Sequence, residues 1–159
     1  MTETIIRNGT VVTPDALIPN GFVRILDGRI IDFGSRQAES GTASGGGVVD
    51  ANGAYIAPGF VDIHCHGGGR EWAFRQPYEF AVAHLLHGTT SILPTLSYNE
   101  SREEMRQGVK DILKVMHSDA PYRFAVVGIH MEGPFINKKY GAITSPIRPV
   151  DPEEYNELL

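Results

Sequence analysis

The sequence predicts an α/β fold in which a small β-rich region, residues 1–56, precedes the opening of a parallel sheet with helical crossovers, residues 57–159. Two observations predict it. Asn-Gly and Asp-Gly dipeptides punctuate short β-branched runs before Ile56, the strongest short-range signal for strand reversal. After Pro58-Gly59 the pattern becomes strand, helix, strand, helix, strand, with helices of a length suited to crossovers between parallel strands.

Asn8-Gly9 predicts a hairpin between Ile5–Arg7 and Thr10–Val12, and Asp27-Gly28 a second one between Phe22–Leu26 and Arg29–Phe33. Ser40 to Gly47 is too poor in apolar side chains to offset its ordering entropy and reads as a loop. Val48–Asp50 and Ala54–Ile56, separated at Asn52-Gly53, close a region expected to be β-sandwich-like. The first parallel strand is predicted over Gly59–His64, and a helix from Tyr78 to His87 is stopped by Gly88. A second strand follows over Ser91–Leu96. Ser101 with Glu104 forms a capping-box pattern, and Met105, Val109, Ile112, Leu113 and Met116 hold a helical period behind it. Phe124–Glu132 is almost continuously apolar until its end, as expected of a strand buried on both faces. Asp151-Pro152-Glu153-Glu154 opens a last helix, on which Tyr155, Leu158 and Leu159 begin an apolar face. Only about 100 residues follow Gly59, whereas a (β/α)₈ barrel takes about 250. The expectation is about three βα units of such a barrel, incomplete in this chain, at the N-terminal end of a longer protein.

Composition narrows the function classes. The chain has 159 residues, 42% of them hydrophobic and 21% charged, as in an ordinary globular domain. Its net charge of -5, with 14 basic residues that form no stripe, predicts no nucleic-acid partner. The single cysteine, Cys65, allows no internal disulfide, and no signal-peptide pattern opens the chain, so a cytoplasmic location is expected. No apolar run approaches the roughly 20 residues that span a bilayer, so no membrane partner is expected.

Chemistry concentrates at two strand ends. Alternation puts Asp62, His64 and His66 on one face at the end of the first parallel strand, and imidazoles so spaced beside a carboxylate can ligate a divalent metal. The bland alternative is a pair of solvent-exposed loop histidines. At the end of the third strand His130 and Glu132 share a face; Glu132, nearer the mouth, is the better ligand, and His130 one layer deeper is expected to orient it or to bond a neighbouring strand. The remaining candidates read as structural: His84 and His87 on one helix face, Cys65 as a packed thiol, Gly67–Gly69 as a site of close backbone approach, Trp72 as a packing anchor, and Lys138-Lys139 as solvated surface.

Ala57-Pro58-Gly59-Phe60-Val61-Asp62-Ile63-His64-Cys65-His66-Gly67, His87-Gly88-Thr89-Thr90, and Gly128 through Phe135 together resemble the amidohydrolase superfamily and, more narrowly, its N-acetylglucosamine-6-phosphate deacetylase family. The His-x-Glu-Gly-Pro-Phe element carries the narrower resemblance. The resemblance implies a metal ligated at Glu132, with His64 and His66 supplying a second metal site in members that have one. Zn²⁺ is the first expectation and Fe²⁺ the alternative, as one or two ions. It also implies hydrolysis of the N-acetyl amide of N-acetylglucosamine 6-phosphate, a homodimer at full length, and sugar contacts at Gly141, Ala142 and Ile143. Family members commonly carry His where this chain has Ile143, and Asn-Pro or Pro where it has Thr144-Ser145-Pro146. Two further His ligands and the acid–base Asp are expected beyond Leu159, so no catalytic residue is assigned within the chain. The alternatives are an amidohydrolase acting on cyclic amides or N-acyl amino acids, and a truncated, non-catalytic metal-binding fragment.

Overall fold

The structure is a computed structural model that describes residues 2–35, 46–141 and 147–158. It divides into two units, Met1–Pro58 and Gly59–Leu159.

In the first unit, β1 (Glu3–Val12), β2 (Leu17–Leu26), β3 (Arg29–Gly34), β4 (Val48–Asp50) and β5 (Tyr55–Ile56) form one five-stranded sheet. β1 is its centre, antiparallel to β2 on one side and parallel to β4 and then β5 on the other. The hairpin expected at Asn8-Gly9 does not form, because the dipeptide lies inside the continuous strand β1. There Asn8 takes a left-handed conformation (φ 60°) and the register against β2 shifts between Arg7 and Gly9, which makes the dipeptide a bulge. The surroundings select the bulge over a turn. Asn8 donates from its side chain to Asp50 Oδ2 (2.9 Å), its carbonyl accepts the Gly53 amide (2.7 Å), and a Cβ on Gly9 would stand 2.7 Å from the Ala54 carbonyl oxygen. Asp27-Gly28 does turn β2 into β3, with positive φ at both residues as a two-residue hairpin loop requires. Ile6, Val11, Val23, Ile30, Phe33 and Ile56 line an apolar cleft of about 280 Å³ on the sheet. The described residues supply one sheet layer here, and of the predicted Ser40–Gly47 loop only Gly46 and Gly47 are among them.

The second unit begins with β6 (Phe60–Cys65), followed by a two-stranded ribbon, β7 (Gly67–Gly68) and β8 (Glu71–Trp72), and by α1 (Pro77–Leu86). β9 (Thr89–Leu96), α2 (Arg102–Met116), a 3₁₀ turn over Arg123–Ala125, β10 (His130–Met131) and α3 (Pro152–Leu158) complete it. The sheet order is β10-β9-β6, all parallel. Helix α2 opens with the capping box read in the sequence: Ser101 Oγ accepts the Glu104 amide while Glu104 accepts the Ser101 amide. One face of the sheet packs on the helices through Ile92 and Leu96 of β9, Phe80 of α1, and Met105 and Ile112 of α2. Each of these five side chains is completely buried.

Three expectations are corrected here. Phe124–Glu132 is not one strand: a left-handed Tyr122 leads into the 3₁₀ turn, Val126 makes an isolated bridge to Ile92, and a ladder returns only at His130–Met131. Nor is the segment buried on both faces, since Phe124 and Val127 are largely exposed. Leu113 is 39% exposed despite its place in the helical period. On α3 the buried residue is Glu154, paired with Arg148, while Tyr155 stays exposed and Leu158 packs partly against the core.

Helix burial therefore predicts a contrast between adjacent leucine-sized residues. Ile112→Ala should cost about 2–5 kcal/mol in denaturant unfolding, and Leu113→Ala about 0.5 kcal/mol.

Candidate metal centre

Parallel strands deliver their C-terminal ends to one side of a sheet, which is where the chemistry of this unit gathers. β6 supplies His64 and, one residue past its end, His66; Glu132 follows directly on β10. His64 Nε2 lies 3.2 Å from His66 Nε2, Glu132 Oε1 is 3.5 Å from His64 Nε2, and Glu132 Oε2 is 3.6 Å from His66 Nε2. Four ligands at about 2.0–2.1 Å in a tetrahedron stand about 3.3 Å from one another. The three donors are thus spaced as ligands of one divalent ion would be, and a neutral imidazole pair with a carboxylate is a donor set suited to zinc or ferrous iron. Among the described residues this is the one group of three or more His, Cys, Asp or Glu side chains so placed. With His64 and His66 side chains 46% and 36% exposed, the donors remain open to solvent on one side.

Local sequence explains the convergence. The register of β6 against β9 slips by one residue between Asp62 and Cys65. Asp62 is drawn into that irregularity, its Oδ1 accepting the His64 amide (3.1 Å), and stands outside the three-donor group. Pro94 offers no N–H to the ladder; side chains bond the β6 backbone in its neighbourhood. Thr95 Oγ1 accepts from the Cys65 amide (3.0 Å) and His130 Nδ1 donates to the Ile63 carbonyl (2.6 Å). His130 thus bonds across to β6, one strand beyond the neighbouring strand expected from the sequence, because β9 lies between them. Gly133 follows Glu132 because a Cβ there would come within 2.7 Å of Tyr98 Cα.

Other sequence candidates fall where physical reading put them, with one exception. His87 Nδ1 pairs with the Ala83 carbonyl at the end of α1, and His84 packs on Phe80 and reaches the Gly67 carbonyl. Gly68 approaches His84 closely enough that a Cβ would collide with the ring. Cys65 is buried in the core, and burial first, then the charge and hydrogen bond of Asp62, push its thiol up to about 12. Lys138 and Lys139 are exposed, with Lys139 Nζ over the Tyr140 ring. Trp72 is the exception: it is half exposed rather than a packed anchor. Of the expected sugar contacts, Gly141 sits against Tyr98 and Ile136, whereas Ala142 and Ile143 lie outside the described residues.

Glu100 is the residue that pattern reading missed. It is 9% exposed, its Oε1 accepts the Ser97 amide, and its Oε2 has no hydrogen-bond partner among the described residues. Burial pushes its carboxyl up to about 7, and the charges of Glu104 and Glu132 add to this against the Ser97 amide and Arg75. With Trp72, Phe74, Arg75, Ser97 and Asn99 it lines a cleft of about 410 Å³. Its position just beyond β9 is a signal, since strand C-terminal ends carry such groups.

These environments make two predictions. Because Glu100 holds its proton in the folded chain up to about pH 7 and releases it near 4.5 when unfolded, the folded state binds more protons between those values. Stability should fall as pH rises through that window, by at most about 1.4 kcal/mol per pH unit, and Glu100→Gln should flatten this slope in unfolding titrations. Cys65 should react with an aromatic disulfide reagent at pH 8 only after the chain is unfolded.

No family model matches the chain. It is 32% identical over 166 aligned positions to N-acetylglucosamine-6-phosphate deacetylase of Homo sapiens, covering 98% of this chain and 37% of the human protein. The crystal structure of the Pasteurella multocida N-acetylglucosamine-6-phosphate deacetylase superposes with a TM-score of 0.76 at 19% identity, covering 98% of this chain and 41% of that one. A mutant of the Mycobacterium smegmatis deacetylase in complex with N-acetyl-D-glucosamine-6-phosphate superposes with a TM-score of 0.73 at 22% identity, covering 99% and 40%. The chain spans about a third of the length of the curated relatives it matches. No helix of the described residues is long and apolar enough to cross a membrane. Both in sequence and in backbone, this chain is similar over nearly its whole length to an N-terminal part of the N-acetylglucosamine-6-phosphate deacetylases, which are amidohydrolases.

Proposed function

We propose that the protein is a metal-dependent amidohydrolase that converts N-acetylglucosamine 6-phosphate and water to glucosamine 6-phosphate and acetate. The observation that carries this reading is the convergence of His64 and His66 on Glu132, which lies in the His130–Phe135 element that bears the narrower resemblance. A bound divalent ion supplies Lewis acidity, which polarises an amide carbonyl and acidifies water at about neutral pH. His64, His66 and Glu132 hold that ion, Zn²⁺ first and Fe²⁺ as the alternative, as one ion or two. Their exposed side admits the acetamide. In the hydrolysis, the water oxygen bonds to the carbonyl carbon, the C–N bond breaks, and the water's proton passes to the leaving amine. The carboxylate that moves this proton is assigned to none of the 159 residues. Gly141, Ala142 and Ile143 are the proposed sugar-binding positions, with Ile143 where the family commonly has histidine.

In the same reading the second unit is about three βα units of a (β/α)₈ barrel and the first is one layer of a β-sandwich-like domain. The assembly is a cytoplasmic homodimer with no nucleic-acid or membrane partner.

The test is zinc content and acetate release from N-acetylglucosamine 6-phosphate, measured on the purified protein beside Glu132→Gln. Zinc retained by the parent and reduced at least about tenfold in affinity by the substitution supports the centre, and zinc-dependent acetate release supports the reaction. Zinc uptake indifferent to Glu132→Gln overturns the centre. Turnover of cyclic amides or N-acyl amino acids, with none of the sugar phosphate, overturns the substrate. Zinc binding without any turnover makes these residues a half-site whose acid–base carboxylate must come from elsewhere.

A further inference from the structure

We infer that His130 is a positioning residue for the candidate metal centre: its Nδ1–H bond to Ile63 sets the separation between the two strand ends that carry the ligands. The inference rests on the metal reading above and extends it to a residue outside the donor set. β6 and β10 share no ladder, because β9 lies between them. Yet His64 and His66 come from one and Glu132 from the other, and a donor triangle with edges of 3.2–3.6 Å tolerates little relative motion.

His130 spans that gap directly. Its Nδ1 is 2.6 Å from the Ile63 carbonyl oxygen. A carbonyl oxygen only accepts, so Nδ1 carries the hydrogen, and a neutral ring is then the Nδ1–H tautomer with Nε2 bare. The anchor points are close to the ligands on both strands, since Ile63 precedes His64 and Glu132 follows His130 by two residues. The same ring lies 4.6 Å from the His64 ring, tilted by 54°, and so bounds the space in which His64 can rotate. One side chain therefore restrains both a ligand's backbone and its rotamer. Outer contacts of this kind determine how much ordering remains to be done when an ion binds.

The geometry of amide substitutes makes the test specific. Asparagine places an amide nitrogen where histidine has Nδ1, whereas glutamine reaches toward the Nε2 position. Cobalt(II) binding, read by visible absorption at fixed pH and by competition with a chelator, is compared for the parent chain, His130→Asn, His130→Gln and His130→Ala. His130→Asn should stay within about threefold of the parent, while His130→Gln and His130→Ala weaken affinity by about 10–100-fold. Equal affinity in all four proteins, or an asparagine variant as weak as alanine, overturns the inference. Circular dichroism checks folding, and if the alanine variant unfolds the asparagine–glutamine comparison decides by itself. A second readout needs no metal: the imidazole ¹⁵N shifts of His130 in the parent should report the Nδ1–H tautomer, and the Nε2–H tautomer overturns the link. If the parent takes up no cobalt, the metal reading fails, while the tautomer still decides whether His130 joins the strands.

Discussion

Three atoms from two strands that do not touch must meet within the space of one ion, and most of the second unit can be understood from that constraint. Parallel strands bring their C-terminal ends to one side, but the ladder fixes only adjacent pairs, here β6 with β9 and β9 with β10. Errors in register accumulate across two pairings. The unit limits them with side-chain bonds where the ladder is weakest, around Pro94: Thr95 holds the Cys65 amide and His130 the Ile63 carbonyl. Both bonds land on the two residues flanking His64. The ligand is thus fixed by its neighbours' backbone, while its own ring remains available to coordinate.

Burial is uneven across this sheet. Ile92, Leu96, Phe80, Met105 and Ile112 are fully buried, which removes apolar surface from water and makes α1, α2 and the sheet one packed body. On β6, by contrast, Phe60, Val61 and Ile63 are each more than 60% exposed. Apolar side chains of a parallel strand stay exposed where nothing packs on them, so the described residues hold their site chiefly through β9 and the core it shares with α1 and α2. That arrangement suits polar chemistry: the donors sit at the rim, half in solvent, and avoid the desolvation that a fully buried carboxylate would incur.

Local chemistry was legible in the sequence wherever one residue's own bonds decide the structure. Ser101 and Glu104 cap α2 reciprocally, and Asp27-Gly28 turns a hairpin, because each outcome depends on a few neighbouring atoms. His64, His66 and Glu132 were legible for a similar reason: donor type, alternation and position at strand ends carry the signal. The failures all depend on partners distant in sequence. Asn8-Gly9 has the dihedral freedom of a turn, but Asp50, Gly53 and Ala54 bond around it and make it a bulge in a central strand. The apolar run after Phe124 lacks a ladder partner on its outer side among the described residues, so half of it never becomes strand. Asp62 alternates correctly with His64 but is turned aside by the register slip.

Glu100 was also missed, although its place just beyond β9 is a signal, because its character depends on burial by residues distant in sequence. No motif marks it, yet it occupies a buried position at the mouth of β9 with one carboxyl oxygen lacking a hydrogen-bond partner among the described residues, its proton retained through burial. Burial is the main cause, and the negative charges of Glu104 and Glu132 add to it. A cation held at Glu132 would offset one of those charges and so ease the ionisation of Glu100. The loop that closes β9 and caps α2 therefore carries a buried carboxyl whose charge depends in part on what the donor set holds.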